Sequence, residues 1–197
     1  MILSNVEIQR AIAEGRLEIE PAPHPDRPLK QGEYCPYQTS SVDLRLGDEI
    51  AFFKDGLAVN VDLRRGKFPT LFGPNCERLK ITPEQPFALN PGRLVLGKTQ
   101  ERVRFPIVES GQMCLAGRIE GKSSYARCGV LVHFTAPTIH AGFLGTITLE
   151  LINLGPLPVM LYPGAPICQL IVEEVAGTPF QNESQFQNQS QAGGHSR

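Results

Sequence analysis

A cationic, hydroxyl-rich turn interrupts a strand-like part of the sequence. In EGKSSYARCG (120–129), Ser123 and Ser124 directly follow Lys122, and Arg127 lies three residues beyond the second serine. Serines favour the first turn of a helix, where backbone N–H groups are free, and such groups beside cations bind phosphate well. The stretch therefore predicts an anion site, with a capped surface turn as the alternative. It lacks G-x-x-x-x-G-K-[ST], so it is not a P-loop.

A second candidate for chemistry is a carboxylate in the middle of an apolar strand. From Gly145 onward the sequence alternates strictly, with apolar side chains on one face and Glu150 on the other. If it is enclosed, such a carboxylate can shuttle protons near neutral pH, whereas a solvent-facing glutamate is the alternative. His133 and His140 are weaker candidates, and we interpret them as core or rim residues.

Short strands must hold these residues in place. Ser4 and Glu7 form a capping box that predicts an N-terminal helix. SVDLRLGDEIAFF then alternates with period two, which predicts a strand with Val42 and Leu44 inward and Asp43 and Arg45 outward. Further strands are predicted at 57–63, 78–82, 87–89, 93–104, 112–119, 130–134, 145–153, 158–161 and 166–174. Many short strands separated by Pro and Gly indicate a mainly β fold, an antiparallel barrel or jelly roll.

Composition limits the function classes. The chain has 197 residues, 41% hydrophobic and 20% charged, and a net charge of −1, which favours neither nucleic acid nor an anionic membrane as a partner. It has no apolar run of membrane length and no signal-peptide pattern. Five scattered cysteines indicate small buried thiols in a reducing, cytoplasmic setting, without paired zinc ligands. We predict one β domain over 1–176 and a flexible tail or lid over 177–197.

The sequence also resembles a known family. GRIEGKSSYARCGVLVHFTAPTIHAGFLGTITLELINLG (117–155) is similar to the dCTP deaminases of the dUTPase-like superfamily, and SSVDLRLG, NPGRLVLGKT, YPGAPICQL and the tail extend the likeness. The resemblance implies a dUTPase-like distorted β-barrel that forms a homotrimer with active sites shared between subunits. It also implies conversion of dCTP to dUTP and ammonia, which supplies dUTP for dTMP synthesis.

Individual roles follow from the same resemblance. Glu150 falls on the catalytic glutamate that activates water for attack on C4 of cytosine, with Ser123 and Arg127 at that water and the Ala136 carbonyl orienting it. The substrate-binding positions are Lys122, Ser123, Ser124, Arg127, Thr135, His140, Phe180, Gln185 and Gln189. Mg²⁺ would arrive with the triphosphate. The sequence lacks the H-x-E and P-C-x-x-C motifs of zinc deaminases, so no zinc is expected.

Three positions depart from the family pattern. Lys122 replaces the arginine that many members carry, and Gln185 replaces a lysine. His140 replaces the aspartate that contacts the sugar 3′-hydroxyl, and in dUTPases this aspartate also helps to activate water. The last change favours a deaminase without pyrophosphatase activity over a bifunctional enzyme or a dUTPase. A non-catalytic nucleotide-binding regulator is the alternative of another class. Inhibition by dTTP and the role of segment 20–37 stay open.

Overall fold

The computed structural model describes residues 1–28, 30–58, 60–62, 64, 68–108, 112–182 and 187–192, without the side chains of residues 68–71. The described helices are α1 (Asn5–Ala13), α2 (Phe68–Asn75) and α3 (Ser123–Arg127). The described strands are β1 (Glu18–Glu20), β2 (Tyr37–Gln38), β3 (Ser41–Arg45), β4 (Glu49–Phe53), β5 (Cys76–Lys80), β6 (Phe87–Leu89), β7 (Leu94–Arg104), β8 (Leu115–Gly121), β9 (Val130–Val132), β10 (Thr138–Ile139), β11 (Leu144–Asn153), β12 (Val159–Leu161) and β13 (Pro166–Glu174).

Two antiparallel sheets build the barrel. One runs in the order β5-β4-β7-β11-β9, with β1 also paired to β7, and the other in the order β10-β8-β13-β3-β2. Alternate side chains of the long strands point inward, so Leu149, Leu151, Leu170 and Ile119 are almost fully buried in one core. The mainly β prediction, with a short N-terminal helix and a helical turn near 123–128, is confirmed.

The predicted capping of the first helix is present. The Ser4 hydroxyl accepts a hydrogen bond from the Glu7 backbone N–H at 3.3 Å. Gly15 follows the helix in a left-handed conformation, with φ of 71°, which glycine adopts without steric cost. The side chain of Glu7 pairs with Arg10 and not with the cap, so one half of the capping box has formed.

The strand predictions fail in two places: the single strand predicted for SVDLRLGDEIAFF is divided into β3 and β4, which lie in different sheets, and the chain between residues 54 and 75 differs from prediction. The described residues within 57–63 form no strand, and helix α2 was not predicted. The stretches NPGRLVLGKT and YPGAPICQLI begin with similar Pro-Gly turns, which predicts two analogous hairpins in one barrel, but β6 and β12, the strands before these turns, pair with each other in a small separate sheet. In both turns the glycine, Gly92 or Gly164, has a positive φ.

The cysteine prediction is confirmed with one exception. All five cysteines are free thiols, and four of them are buried, but Cys128 is exposed directly after α3. Helices in the described part of the chain are too short or too polar to cross a bilayer.

Candidate functional site

The cationic turn forms a single short helix between two strands. Strand β8 ends at Gly121, the backbone N–H groups of Tyr125 and Ala126 both bond to the Lys122 carbonyl at 3.0 Å, and Gly129 ends the turn with φ of 86°. Ser123 and Ser124 are exposed, and their hydroxyls have no partner among the described residues. Gly129 is required here, because a Cβ would lie 2.3 Å from the Gly155 nitrogen.

Arg127 leaves most of its guanidinium available. It is exposed, and its described side-chain contact is a hydrogen bond from Nη1 to the Ser123 carbonyl at 3.1 Å. No carboxylate in the described part of the chain pairs with it. A planar guanidinium that is not neutralised, next to two unpartnered hydroxyls, is suited to bind a phosphate or carboxylate.

Lys122 is held differently from the rest of the turn. Its ammonium lies 2.6 Å from Oδ2 of Asp43, whose side chain is fully buried. The prediction that Asp43 points to solvent is therefore wrong: Asp43 is 2% exposed, and it also accepts hydrogen bonds from the Tyr34 hydroxyl at 3.2 Å and the Gln169 amide at 3.3 Å. Burial and then the Asp43 charge raise the pKa of Tyr34 above its ordinary range, so the phenol stays a donor.

An open cavity of about 370 Å³ surrounds this cluster. Its lining consists of Tyr34, Gln38, Asp43, Lys122, Ser123, Ser124, Tyr125, Pro166 and Gln169. The cavity thus joins the two hydroxyls of the turn to the ammonium of Lys122. Segment 20–37, which had no predicted role, contributes Tyr34 to this wall, and no local pattern singled out that residue.

We expect Asp43→Asn to destabilise the fold, because it leaves the Lys122 ammonium without its carboxylate partner. Breaking a buried ion pair costs about 3 kcal/mol of unfolding free energy, which urea denaturation measures. The matched control is Asp48→Asn. The carboxylate of Asp48 is half exposed and lies 3.4 Å from the Lys80 ammonium and 3.9 Å from the Lys98 ammonium. Because exposed ion pairs contribute little to stability, we expect little change in the unfolding free energy. Equal midpoints for both variants and wild type would contradict this assignment.

Glu150 lies on the outer face of β11 and is partly enclosed. Its side chain is 32% exposed, and its Oε2 atom is buried. The residue opposite is His133, whose backbone N–H bonds to the Glu150 carbonyl at 2.9 Å and whose Nδ1 lies 2.7 Å from Oε2. Glu150 is thus partly enclosed, which lies between the enclosed and the solvent-facing carboxylate that the sequence left open.

The turn and Glu150 make no direct polar contact in the described part of the chain. Leu154 donates its N–H to the Gly129 carbonyl, so the turn lies beside the end of β11. Four residues of strand separate this point from Glu150, about 13 Å at 3.3 Å per residue. In the described part of the chain, no hydrogen bond or ion pair links Glu150 to Ser123 or Arg127.

Four further predicted positions lie outside the strands, three between β9 and β11 and one in the tail. Thr135, Ala136 and His140 are all exposed and lie on the chain that joins β9 to β11. Phe180, in the tail after β13, is 87% exposed. The structure therefore leaves these side chains open to solvent or to a neighbouring molecule.

The C-terminal segment is docked on its own barrel. Gln189 is buried, its carbonyl accepts the Thr146 N–H at 3.0 Å, and its amide oxygen lies 3.5 Å from the Thr148 hydroxyl. The Ser190 carbonyl accepts from Lys98 at 3.1 Å, and the Ala192 N–H donates to Glu49 at 2.7 Å. Gln189 thus covers the outer face of β11 next to Glu150. The predicted position Gln185 lies outside the described residues.

Within the described residues, no cluster of three or more His, Cys, Asp or Glu side chains could hold a metal ion. The expected absence of zinc and the expected Mg²⁺ with the triphosphate remain predictions.

Known proteins resemble the chain over nearly all of its length. A family model described as dCTP deaminase-like matches residues 2–175. A protein of Dictyoglomus thermophilum named dCTP deaminase, dUMP-forming, is 40% identical over 196 residues, which are 96% of this chain and 91% of that protein. A Rhodospirillum rubrum protein named dCTP deaminase is 39% identical over 179 residues, 88% of this chain and 82% of the relative.

A solved structure is similar in fold. The crystal structure of 2′-deoxycytidine 5′-triphosphate deaminase from Agrobacterium tumefaciens superposes with a TM-score of 0.59 at 18% identity. The match covers 87% of this chain and 47% of that one, so the chain spans about half of that protein.

Proposed function

The chain belongs to the dCTP deaminase-like family, and we propose that it is an enzyme that removes the 4-amino group of dCTP by hydrolysis. The observation that carries the proposal is the identity of 40% across nearly the whole chain with a protein named for this activity. The site supports it: an anion-binding turn with free hydroxyls and a free guanidinium, and a half-enclosed carboxylate on a rigid strand.

Glu150 is the proposed general base. It takes a proton from water, the resulting hydroxide attacks C4, and the carboxylic acid returns the proton to the departing amino group, so that water and dCTP become ammonia and a uracil nucleotide. Ser123 and Arg127 would hold the water beside the base, and the Ala136 carbonyl would orient it. No step needs a zinc-bound hydroxide.

The turn is the proposed triphosphate site. The hydroxyls of Ser123 and Ser124 donate to phosphate oxygens, and Arg127 adds a charged fork. Lys122 contributes as well, because an ammonium has three donors and Asp43 occupies one of them. Mg²⁺ would travel with the triphosphate as part of the substrate and offset its charge.

A homotrimer with shared sites is the proposed assembly. Two observations support it: the turn and Glu150 lie apart in one chain, and an apolar face adjoins Glu150. On that face the exposed Leu94 and the partly exposed Leu131 flank Ile152 across three strands. Exposed apolar patches of this kind mark protein interfaces. Five free thiols support a cytoplasmic location.

The product is the finer question. His140 in place of the family's aspartate favours dUTP and ammonia as the products. The Dictyoglomus relative is named dUMP-forming, which supports a second candidate, an enzyme that deaminates dCTP and also releases pyrophosphate.

Incubation with dCTP and Mg²⁺, followed by nucleotide separation and ammonia measurement, tests both candidates. We expect dUTP and ammonia in equal amounts. Main products dUMP and pyrophosphate would establish the second candidate. No change in dCTP would contradict the proposed function.

The docked tail is the proposed lid of the site. Deleting residues after 178 removes Gln189 from the face beside Glu150, so we expect dCTP turnover to fall by about a hundredfold, since water is excluded less well and the substrate is less well positioned. Gel filtration should give the same assembly for both proteins, because the sheets are unchanged.

The matched control for the deletion is Gln191→Ala, which removes a tail contact with Arg78 and leaves Gln189 in place. This variant should retain most of its activity. A truncated protein with wild-type turnover would show that the tail takes no part in catalysis.

A further inference from the structure

His133 is a buried histidine without a regular hydrogen bond. It is 7% exposed, and neither ring nitrogen completes an aligned hydrogen bond in the described part of the chain. Buried polar side chains are almost always satisfied, so an unpartnered one requires an explanation. The nearest charged atom to the ring is Oε2 of Glu150, 2.7 Å from Nδ1.

The backbone fixes the imidazole in this place. His133 directly follows β9, and its backbone N–H donates a hydrogen bond to the Glu150 carbonyl on β11. Its φ is 53°, in the left-handed region that only a few per cent of non-glycine residues adopt, histidine more often than most. The chain turns away after this residue while the ring stays opposite Glu150. Strained residues of this kind concentrate at functional sites.

The two oxygens of Glu150 therefore differ. Oε2 is buried against the ring, while the side chain as a whole is 32% exposed, so its open side belongs to Oε1. A carboxylate that rotates freely presents either oxygen in many directions. One that is held through Oε2 presents Oε1 in a single direction, which favours proton transfer from a fixed water.

We propose that His133 is a positioning residue for Glu150: the contact between Nδ1 and Oε2 holds the carboxylate so that Oε1 faces the substrate. This inference rests on the proposed deaminase function. Contacts of catalytic groups in ligand-free structures are often poorly aligned and tighten when substrate binds, which accounts for the short but misaligned approach. The role acts through Glu150 and requires no contact between His133 and dCTP.

His133→Asn and His133→Gly form a matched pair that tests the role. Both residues tolerate a left-handed backbone, and the asparagine amide nitrogen takes about the position of Nδ1. We expect kcat for dCTP within about threefold of wild type for His133→Asn and about a hundredfold lower for His133→Gly, with KM little changed in either. Imidazole added to His133→Gly should restore part of kcat.

Melting temperature and gel filtration provide the folding control. Equal wild-type kcat in both variants would overturn the inference, as would equal loss in both without imidazole rescue, or a change in KM alone. If one variant does not fold, the other still tests the inference, because His133→Asn must keep a kcat near that of wild type and His133→Gly must have a much lower one. If the wild-type protein releases no ammonia from dCTP, the proposed function fails. If it does and the variants match it, only the role of His133 fails.

Discussion

Glu150→Gln is expected to stop ammonia release from dCTP, with kcat lowered by about a thousandfold or more. Glutamine keeps the size of the side chain and its contact with His133, but an amide cannot take a proton from water. Since the anion-binding turn is unchanged, the variant should still bind dCTP with near wild-type affinity. Calorimetry gives the affinity, and an ammonia assay gives the rate.

The matched control is Glu120→Gln, because Glu120 is a half-exposed strand carboxylate on β8 that pairs with Arg118 at the surface. This variant should be as active as wild type. Turnover by Glu150→Gln within a few fold of wild type would mean that another group is the base. If wild type and variant both bind dCTP and neither turns it over, the chain is a nucleotide-binding regulator.

Arg127→Ala is expected to weaken dCTP binding and slow turnover together. The guanidinium is exposed and not neutralised by any described carboxylate. It is therefore free to bind a phosphate group and to hold the attacking water. Losing one charge-assisted hydrogen bond costs about 1.5–3 kcal/mol, which is about a tenfold to hundredfold increase in KM. A loss in kcat should accompany it.

Two further variants sharpen this prediction. Arg127→Lys keeps the charge without the planar fork and should restore only part of the affinity. Arg104→Ala removes an exposed arginine that pairs with Glu18, and its kinetics should match wild type. Unchanged kcat and KM in Arg127→Ala would place the triphosphate elsewhere on the barrel.

Strands with strict alternation were predictable from sequence. β13 begins and ends at the predicted residues 166 and 174, and β7 and β11 differ from prediction by one residue at one end. A period of two is visible locally, because each side chain faces either the core or the outside. Helix α2 was not predictable in this way, since its sequence FPTLFGPN contains proline and glycine, which disfavour helices.

The partners inside the site could not be predicted from local sequence. Asp43 and Lys122 are 79 residues apart, and only the pairing of β3, β13 and β8 brings them together. Alternation alone placed Asp43 outside, because the pattern cannot tell solvent from a second buried cluster. His133 looked like an ordinary core histidine, and its contact with Glu150 depends on the register between β9 and β11.

The sharing of sites between subunits is the central claim, and mixing two impaired variants tests it most directly. Glu150→Gln and Arg127→Ala chains, unfolded together in equal amounts and refolded, should regain about one quarter of the wild-type rate, because a random trimer unites an intact Glu150 with an intact neighbouring turn at that frequency. At a dCTP concentration near the wild-type KM, each variant refolded alone should stay well below this rate. If the mixture is no more active than the separate variants, while native mass spectrometry shows mixed trimers, Glu150 and the turn act within one chain and the account is wrong.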